Sequence, residues 1–259
     1  MRRIEKLIRG VLKYRSSPAR IETVKRVAEC KHNPEPKGLL FTCMDARMMP
    51  ARLTGADVGD LYIVRNAGNL IPHVVNYGGY PNWSEICIQP ETAALELCCK
   101  RAGLPHVLVT GHSDCRAMHT LHEMLEHPEA LRDNSPLDLW LVRHGVHTLK
   151  KFHQLKEGKA LKFIEDIPSL AFEAHIDPDN KLDDSDKLSQ VNTLQQLENV
   201  VSHRVVRPFI ESRKVNMHAF WYEMFTGDVY MFSKKNKQFV VIDDSNVDAL
   251  VQEIPRNEP

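Results

Sequence analysis

The stretch ETAALELCCKRAGLPHVLVTGHSDC, residues 91–115, holds three elements in succession. Ala93, Ala94, Leu97 and Cys98 recur at three- and four-residue steps, the period of one helix face, and Gly103 supplies a stop. Val107-Leu108-Val109 then predicts a short strand, with the polar loop Gly111 to Cys115 directly behind it. Upstream, Leu61-Tyr62-Ile63-Val64 predicts a strand that breaks into Arg65-Asn66-Ala67-Gly68-Asn69, and Gly38 to Phe41 predicts another that runs into Thr42-Cys43-Met44-Asp45-Ala46-Arg47. Strand, helix, strand and polar loop is the order of a βαβ unit, whose parallel strands gather sites at their carboxyl ends. The predicted fold class is α/β: a single domain over residues 1–259, with a mainly parallel central β-sheet flanked by helices and an amino-terminal helical arm over residues 1–36.

Working outward, Met1 to Arg20 carries Arg2, Arg3, Lys6, Arg9, Lys13, Arg15 and Arg20 against Glu5, with Ile4, Leu7, Ile8, Val11 and Leu12 at roughly helical spacing. A basic, acid-poor amphipathic helix of this kind fits a mitochondrial presequence. It equally fits a packing arm whose apolar face lies on the body or on a partner subunit. Glu22 to Ala28 continues helical until Asn33-Pro34-Glu35-Pro36. Residues Pro72 to Pro90, with Gly78-Gly79, Pro81 and Trp83, predict a long loop, either a lid or an insertion. Downstream, Ser135-Pro136 reads as an N-cap followed by proline at the first helical position, opening a helix through Trp140, His144 and His147 toward Phe152. Asp177 to Asp186 predicts a solvated linker. A helix from about Leu188 then presents Val191, Leu194, Leu197 and Val201 on one apolar face until about Pro208. Met217–Tyr222, a Thr226-Gly227-Asp228 turn, Val229–Phe232 and Phe239–Ile242 predict a strand and a hairpin joining the sheet edge, before a last helix after Ser245.

Lys and Arg number 34, as do Asp and Glu, so no net field argues for nucleic acid or an anionic membrane as partner. With 42% hydrophobic and 26% charged residues the composition is that of a soluble globular chain, and a small-molecule function is the better expectation. No apolar run approaches the length of a membrane span. The six cysteines, sparse and irregularly spaced, predict reduced thiols available to a metal or to catalysis.

His112-x-x-Cys115 offers an imidazole and a thiol three residues apart, and Cys43 adds a second thiol from another strand end. Two sulfurs and one nitrogen are donors that zinc favours, and three protein ligands leave the open position of a catalytic site. Cys98 and Cys99 fall inside a predicted helix, and Cys30 and Cys87 have no partner at ligand spacing. Cys43, Asp45 and Arg47 place a soft ligand, an acceptor and a fixed donor fork within five residues.

These motifs resemble the β-class carbonic anhydrases, animal members among them: Cys43-x-Asp45-x-Arg47, Arg65-Asn66-Ala67-Gly68-Asn69 and Gly111-His112-Ser113-x-Cys115 stand in the same order and spacing. Pro90-Glu91-x-Ala93-Ala94-Leu95-Glu96 and the Leu188–Asn199 segment extend the likeness over nearly the whole chain. The resemblance implies that Cys43, His112 and Cys115 bind one Zn2+ per chain. It implies that Asp45 and Arg47 form the catalytic dyad, with Asp45 as a fourth ligand when the site is closed. Zinc lowers the pKa of a bound water from about 16 to roughly 7, which suits reversible hydration of carbon dioxide to bicarbonate at neutral pH. The resemblance also implies a homodimer or higher even oligomer; from charge balance and hydropathy, no nucleic-acid or membrane partner is expected. The location expected is mitochondrial, with the cytoplasm as alternative. Hydrolysis of a carbon dioxide analogue such as carbon disulfide, and a catalytically silent zinc-stabilised binding module, are the alternative functions.

One departure is Arg116-Ala117 after Cys115, where the family usually has glycine; an arginine resists positive φ, so either a slightly rearranged loop or an arginine reaching a subunit neighbour is expected there. The loop from Ile71 to Pro90 also differs from plant members. His73, His119 and His122 are candidates for proton relay, a role that histidine suits as a residue type, surface or helix-face histidine being the plainer reading. Asn66 and Gly68 are expected to shape the site floor, and Met44, Met48 and Met49 to pack rather than ligate.

Overall fold

The computed structural model describes residues 3–77 and 89–255. The Gly78-Gly79, Pro81 and Trp83 portion of the long loop, and Cys87, lie outside the described residues. Helix α1 (Arg3–Arg15) and helix α2 (Pro18–His32) form the amino-terminal arm. The spacing predicts one helix through Arg20. The chain instead breaks at Ser16–Ser17, because the Ser17 side chain accepts the Arg20 amide and Pro18 opens a new helix. Neither helix buries a residue. Ile4, Leu7, Ile8, Val11 and Leu12 stay more than half exposed, so the apolar row of α1 does not lie on the body of its own chain.

The body alternates strands and helices. β1 (Gly38–Cys43), α3 (Pro50–Leu53) and β2 (Leu61–Asn66) come first. Next are α4 (Pro90–Leu95), which widens into i→i+5 turns over Glu96–Arg101, then β3 (His106–His112) and α5 (Arg116–Glu126). α6 (Pro136–Lys156) opens at Ser135, whose side chain accepts the Asp138 amide as its sequence predicts. A separate two-stranded antiparallel sheet, β4 (Leu161–Phe163) and β5 (Phe172–Ala174), precedes α7 (Asp184–Ser202) and α8 (Arg207–Glu211). β6 (Asn216–Tyr222), β7 (Val229–Ser233), β8 (Gln238–Val241) and α9 (Val247–Gln252) complete the chain.

The main sheet runs in the order β2-β1-β3-β6-β7-β8. The first four strands are parallel, and the β7–β8 hairpin adds antiparallel to the β6 edge. The predicted mainly parallel α/β sheet is the one observed. β1 is buried along its whole length, as expected of a strand covered on both faces. Its pairing sets Thr42 beside Thr110 of β3 and Cys43 beside Asn66 of β2, which brings the strand carboxyl ends level.

α7 departs most from expectation. Its apolar positions Val191, Leu194, Leu197 and Val201 are buried as predicted, yet Asn192, Gln195, Gln196 and Asn199 are buried too. Their amides fasten the segment after β2. Asn192 donates to the Gly68 carbonyl at 2.9 Å, Gln196 accepts the Ile71 amide at 2.6 Å, and Asn199 donates to the Ile71 carbonyl at 2.8 Å. Burying a polar helix face is costly unless its groups are paired: Asn192, Gln196 and Asn199 pair with backbone, and Gln195 donates to the side chains of Glu198 and Asn199. β3 approaches α7 closely at Gly111, where an added Cβ would stand 2.1 Å from Thr193 Oγ1.

The predicted linker 177–186 is ordered instead. Asp177 accepts the amides of Lys181 and Leu182, Asp183 caps α7, and the helix starts at Asp184 rather than Leu188. That helix ends at Ser202, and Pro208 belongs to the first turn of the separate α8.

Candidate metal centre

Cys43 closes β1, His112 closes β3 and Cys115 caps α5, so three element ends converge at the carboxyl edge of the parallel strands. His112 and Gly111, expected in a loop, continue β3. Cys43, His112 and Cys115 are buried, and their donor atoms all lie within 4.8 Å of one another. Among the described residues they form the one such group of His, Cys, Asp and Glu. The Cys43 and Cys115 sulfurs stand 4.0 Å apart. Two sulfurs bound at about 2.3 Å to one tetrahedral ion would stand roughly 3.8 Å apart, so the spacing fits a shared metal.

The orientation of His112 strengthens the fit. Its Nδ1 lies 2.7 Å from the Ser113 carbonyl, which can only accept, so Nδ1 carries the proton and Nε2 carries the lone pair. Nε2 is buried and makes no hydrogen bond. A buried acceptor left bare costs about 1–3 kcal/mol unless something satisfies it, and a cation held between it and the two sulfurs does so. The Ser189 hydroxyl donates to the His112 carbonyl at 2.7 Å and fixes the strand end against α7. Between the thiols, the contact with Cys115 favours the Cys43 thiolate over burial, which opposes it; the Cys115 thiol is pushed up by Cys43 and by burial. Cys43 is therefore the more readily ionised of the two thiols.

Beside the sulfurs stand Asp45 and Arg47. Arg47 donates to Asp45 Oδ1 from its backbone amide at 2.9 Å and from Nε at 3.0 Å, and to Oδ2 from Nη2 at 2.8 Å. These bonds hold the Asp45 carboxyl well below the usual carboxylate range and raise the Arg47 guanidinium. Both Asp45 oxygens are engaged by Arg47, and the carboxylate lies outside the three-residue donor group. Arg65 of β2 braces the loop by donating from Nε to the Cys43 carbonyl at 3.1 Å and from Nη2 to the Asp45 carbonyl at 2.7 Å.

Residues 38–229 match the family model described as carbonic anhydrase. The chain is 42% identical over 259 residues to beta carbonic anhydrase 1 of Caenorhabditis elegans, covering 99% of this chain and 94% of that protein. Its likeness to beta carbonic anhydrase 1 of Caenorhabditis briggsae is 43% identity over the same shares. The chain belongs to the carbonic anhydrase family, in its β class. Among solved structures, the β-carbonic anhydrase CcaA shares the fold with a TM-score of 0.70 at 23% identity, covering 92% of this chain and 99% of that one. A tetrameric β-carbonic anhydrase of Sordaria macrospora does so at 0.61 and 15% identity, covering 88% and 98%.

In this β-class carbonic anhydrase Arg116 takes no positive φ. It is the first residue of α5 and exposed, whereas the positive φ falls on Asp114, at 49°. Gly68 does need its freedom: its φ is 77°, and a Cβ would stand 2.9 Å from Met118 Cε. Asn66 supports the same turn, its amide donating to the Leu70 carbonyl at 2.6 Å and to Glu91 at 2.8 Å. Of the methionines, Met48 is buried and Met44 and Met49 are exposed. The three histidines separate. His73 lies against His147, ring centroids 4.6 Å apart and tilted by 33°, and is pushed down to about 4, by burial and then by His147. His122 Nε2 lies 3.9 Å from Glu126. His119 Nε2 lies 3.4 Å from Asp114 Oδ1 and connects with the site. Arg65 and Asp114 were legible only as motif neighbours, because nothing in local spacing says which backbone or guanidinium they meet.

Proposed function

We infer that the chain catalyses reversible hydration of carbon dioxide to bicarbonate and a proton at one zinc ion per chain, held by Cys43, His112 and Cys115. The observation that carries this is the bare, buried Nε2 of His112 facing two thiol sulfurs, with an Arg47-held carboxylate beside them. Zinc bound there supplies a Lewis acid that brings the pKa of water from 15.7 to roughly 7.

The chain's own residues do the rest. His112 and the two cysteines supply the donors, and the Ser113 carbonyl holds the imidazole tautomer that leaves Nε2 free to bind. Arg47 keeps Asp45 ionised and therefore an acceptor throughout the neutral range. Its remaining lone-pair capacity accepts a hydrogen from the reacting water and orients that water toward carbon dioxide. The two cysteine sulfurs offset the metal's charge, which makes orientation by Asp45 more important than in a site of neutral ligands.

The reading extends to assembly as a homodimer or higher even oligomer, supported by the apolar row of α1 that its own chain leaves exposed. The basic face of the same helix supports a mitochondrial location. The central test is metal analysis with stopped-flow hydration assays on the full chain. About one zinc per chain with hydration activity is expected. Zinc without hydration would leave a silent zinc-stabilised module, and turnover of carbon disulfide instead of carbon dioxide would move the activity to the analogue. Sedimentation of wild type against Leu7→Asp tests the arm, a fall to monomer being expected.

A further inference from the structure

Arg47 is shared between two carboxylates, and only one of them is Asp45. Its Nη1 donates to Asp114 Oδ2 at 2.5 Å, and its Nη2 donates to the Asp114 carbonyl at 2.9 Å. The guanidinium plane is thus gripped from both sides, by Asp45 through Nε and Nη2 and by Asp114 through Nη1 and Nη2. We propose that Asp114 is a positioning residue that locks the Arg47 fork, and through it holds Asp45 in register beside the metal position.

The way Asp114 is itself held supports this role. Its backbone adopts φ 49°, a left-handed conformation that Asp and Asn tolerate better than most side chains. Its amide donates to Asp186 Oδ1 at 2.7 Å, tying the loop to the first turn of α7. Its second carboxylate oxygen faces His119 Nε2 at 3.4 Å on α5. Asp114 is therefore held by groups on two helices, α7 and α5, that lie outside the Asp45 loop. The Arg47 side chain is about two-fifths exposed, and a long side chain at the surface loses ordering entropy when pinned. A single partner two residues away would leave it free to swing with that partner. A second carboxylate 67 positions on keeps the fork in place independently of Asp45.

The inference rests on the hydration reading, so the test pairs a catalytic readout with one that needs no turnover. The variants are Asp114→Asn, which keeps an acceptor oxygen and suits the backbone, and Asp114→Gly, which removes the side chain where positive φ costs glycine nothing. With zinc content equal to wild type, Asp114→Gly is expected to lose about 10–100-fold in kcat/KM and Asp114→Asn less. In an Arg47→Ala background, Asp114→Gly should change kcat/KM by less than about twofold, because the group it positions is gone. Independently of metal, 15N spectroscopy should resolve separate Arg47 Nη signals in wild type, from blocked rotation, that merge in Asp114→Gly. Separate Nη signals persisting in Asp114→Gly, or an undiminished loss in the Arg47→Ala background, would overturn the proposal. Absence of hydration in the wild type would sink the function but leave the spectroscopic result to decide the role of Asp114.

Discussion

The sulfurs of Cys43 and Cys115 face each other at 4.0 Å across the ends of β1 and α5, about twice a disulfide bond length. That spacing excludes a disulfide and fits two sulfurs on one metal ion. Cys115→Ser is expected to drop zinc from about one per chain to near none in metal analysis, and Cys43→Ser likewise. Retained stoichiometric zinc in either variant would remove it from the ligand set.

Asp45 and Arg47 should behave as one unit. Asp45→Asn and Arg47→Ala each lower kcat by roughly 10–100-fold while zinc stays bound, and the double variant loses little more than either alone. Stopped-flow assays with parallel metal analysis measure this. Additive losses would mean that the two residues act separately.

The amide of Asn199 and the carbonyl of Ile71 form a tie between α7 and the segment behind β2. Asn199→Leu leaves that carbonyl buried and bare, at a cost of about 1–3 kcal/mol. Denaturant unfolding of wild type and variant at equal zinc loading reads it directly, and an unchanged midpoint would show the tie to be dispensable.

Asp186, half-buried at the start of α7, has its carboxyl pushed up to about 6, chiefly by burial, with the Asp114 amide opposing. An acid whose folded pKa exceeds its unfolded value of about 3.9 binds more protons when folded, so it costs stability as pH rises between those values and at full strength above them. Asp186→Asn should therefore stabilise the fold at pH 8, by roughly 1 kcal/mol after allowance for solvent screening, and be near neutral at pH 4. Thermal melts at the two pH values decide it, and an equal gain at both would assign the effect to packing.

Residues 1–20 carry the basic, acid-poor row proposed as a mitochondrial address. Fused to a fluorescent protein, they should give a mitochondrial signal in cells. A diffuse signal would leave the segment as an arm alone.

Much of this was legible in local sequence. Strand runs, the Gly103 stop and the Ser135-Pro136 cap act over one or two turns of chain, and each appears where its chemistry puts it. The break at Ser17-Pro18 carried the same kind of signal, overridden by the longer helical period around it. The strands β4 and β5, of three residues each, are too short to show any periodicity. The acidic run after Asp177 reads as solvated because composition does not show that its carboxylates cap backbone amides.

The sequence by itself determined the parallel α/β plan and the donor types of the site, since both follow from residue order along single elements. Only the tertiary structure decided that Asn192, Gln196 and Asn199 are buried, that His112 presents Nε2, and that Arg47 answers to Asp114 as well as Asp45. Each depends on a hydrogen-bond geometry that residue order does not give: the partner of His112 is its neighbour Ser113, and for α7 and Arg47 the partner is distant in the chain. Spacing along one element carries no information about which distant group it will meet.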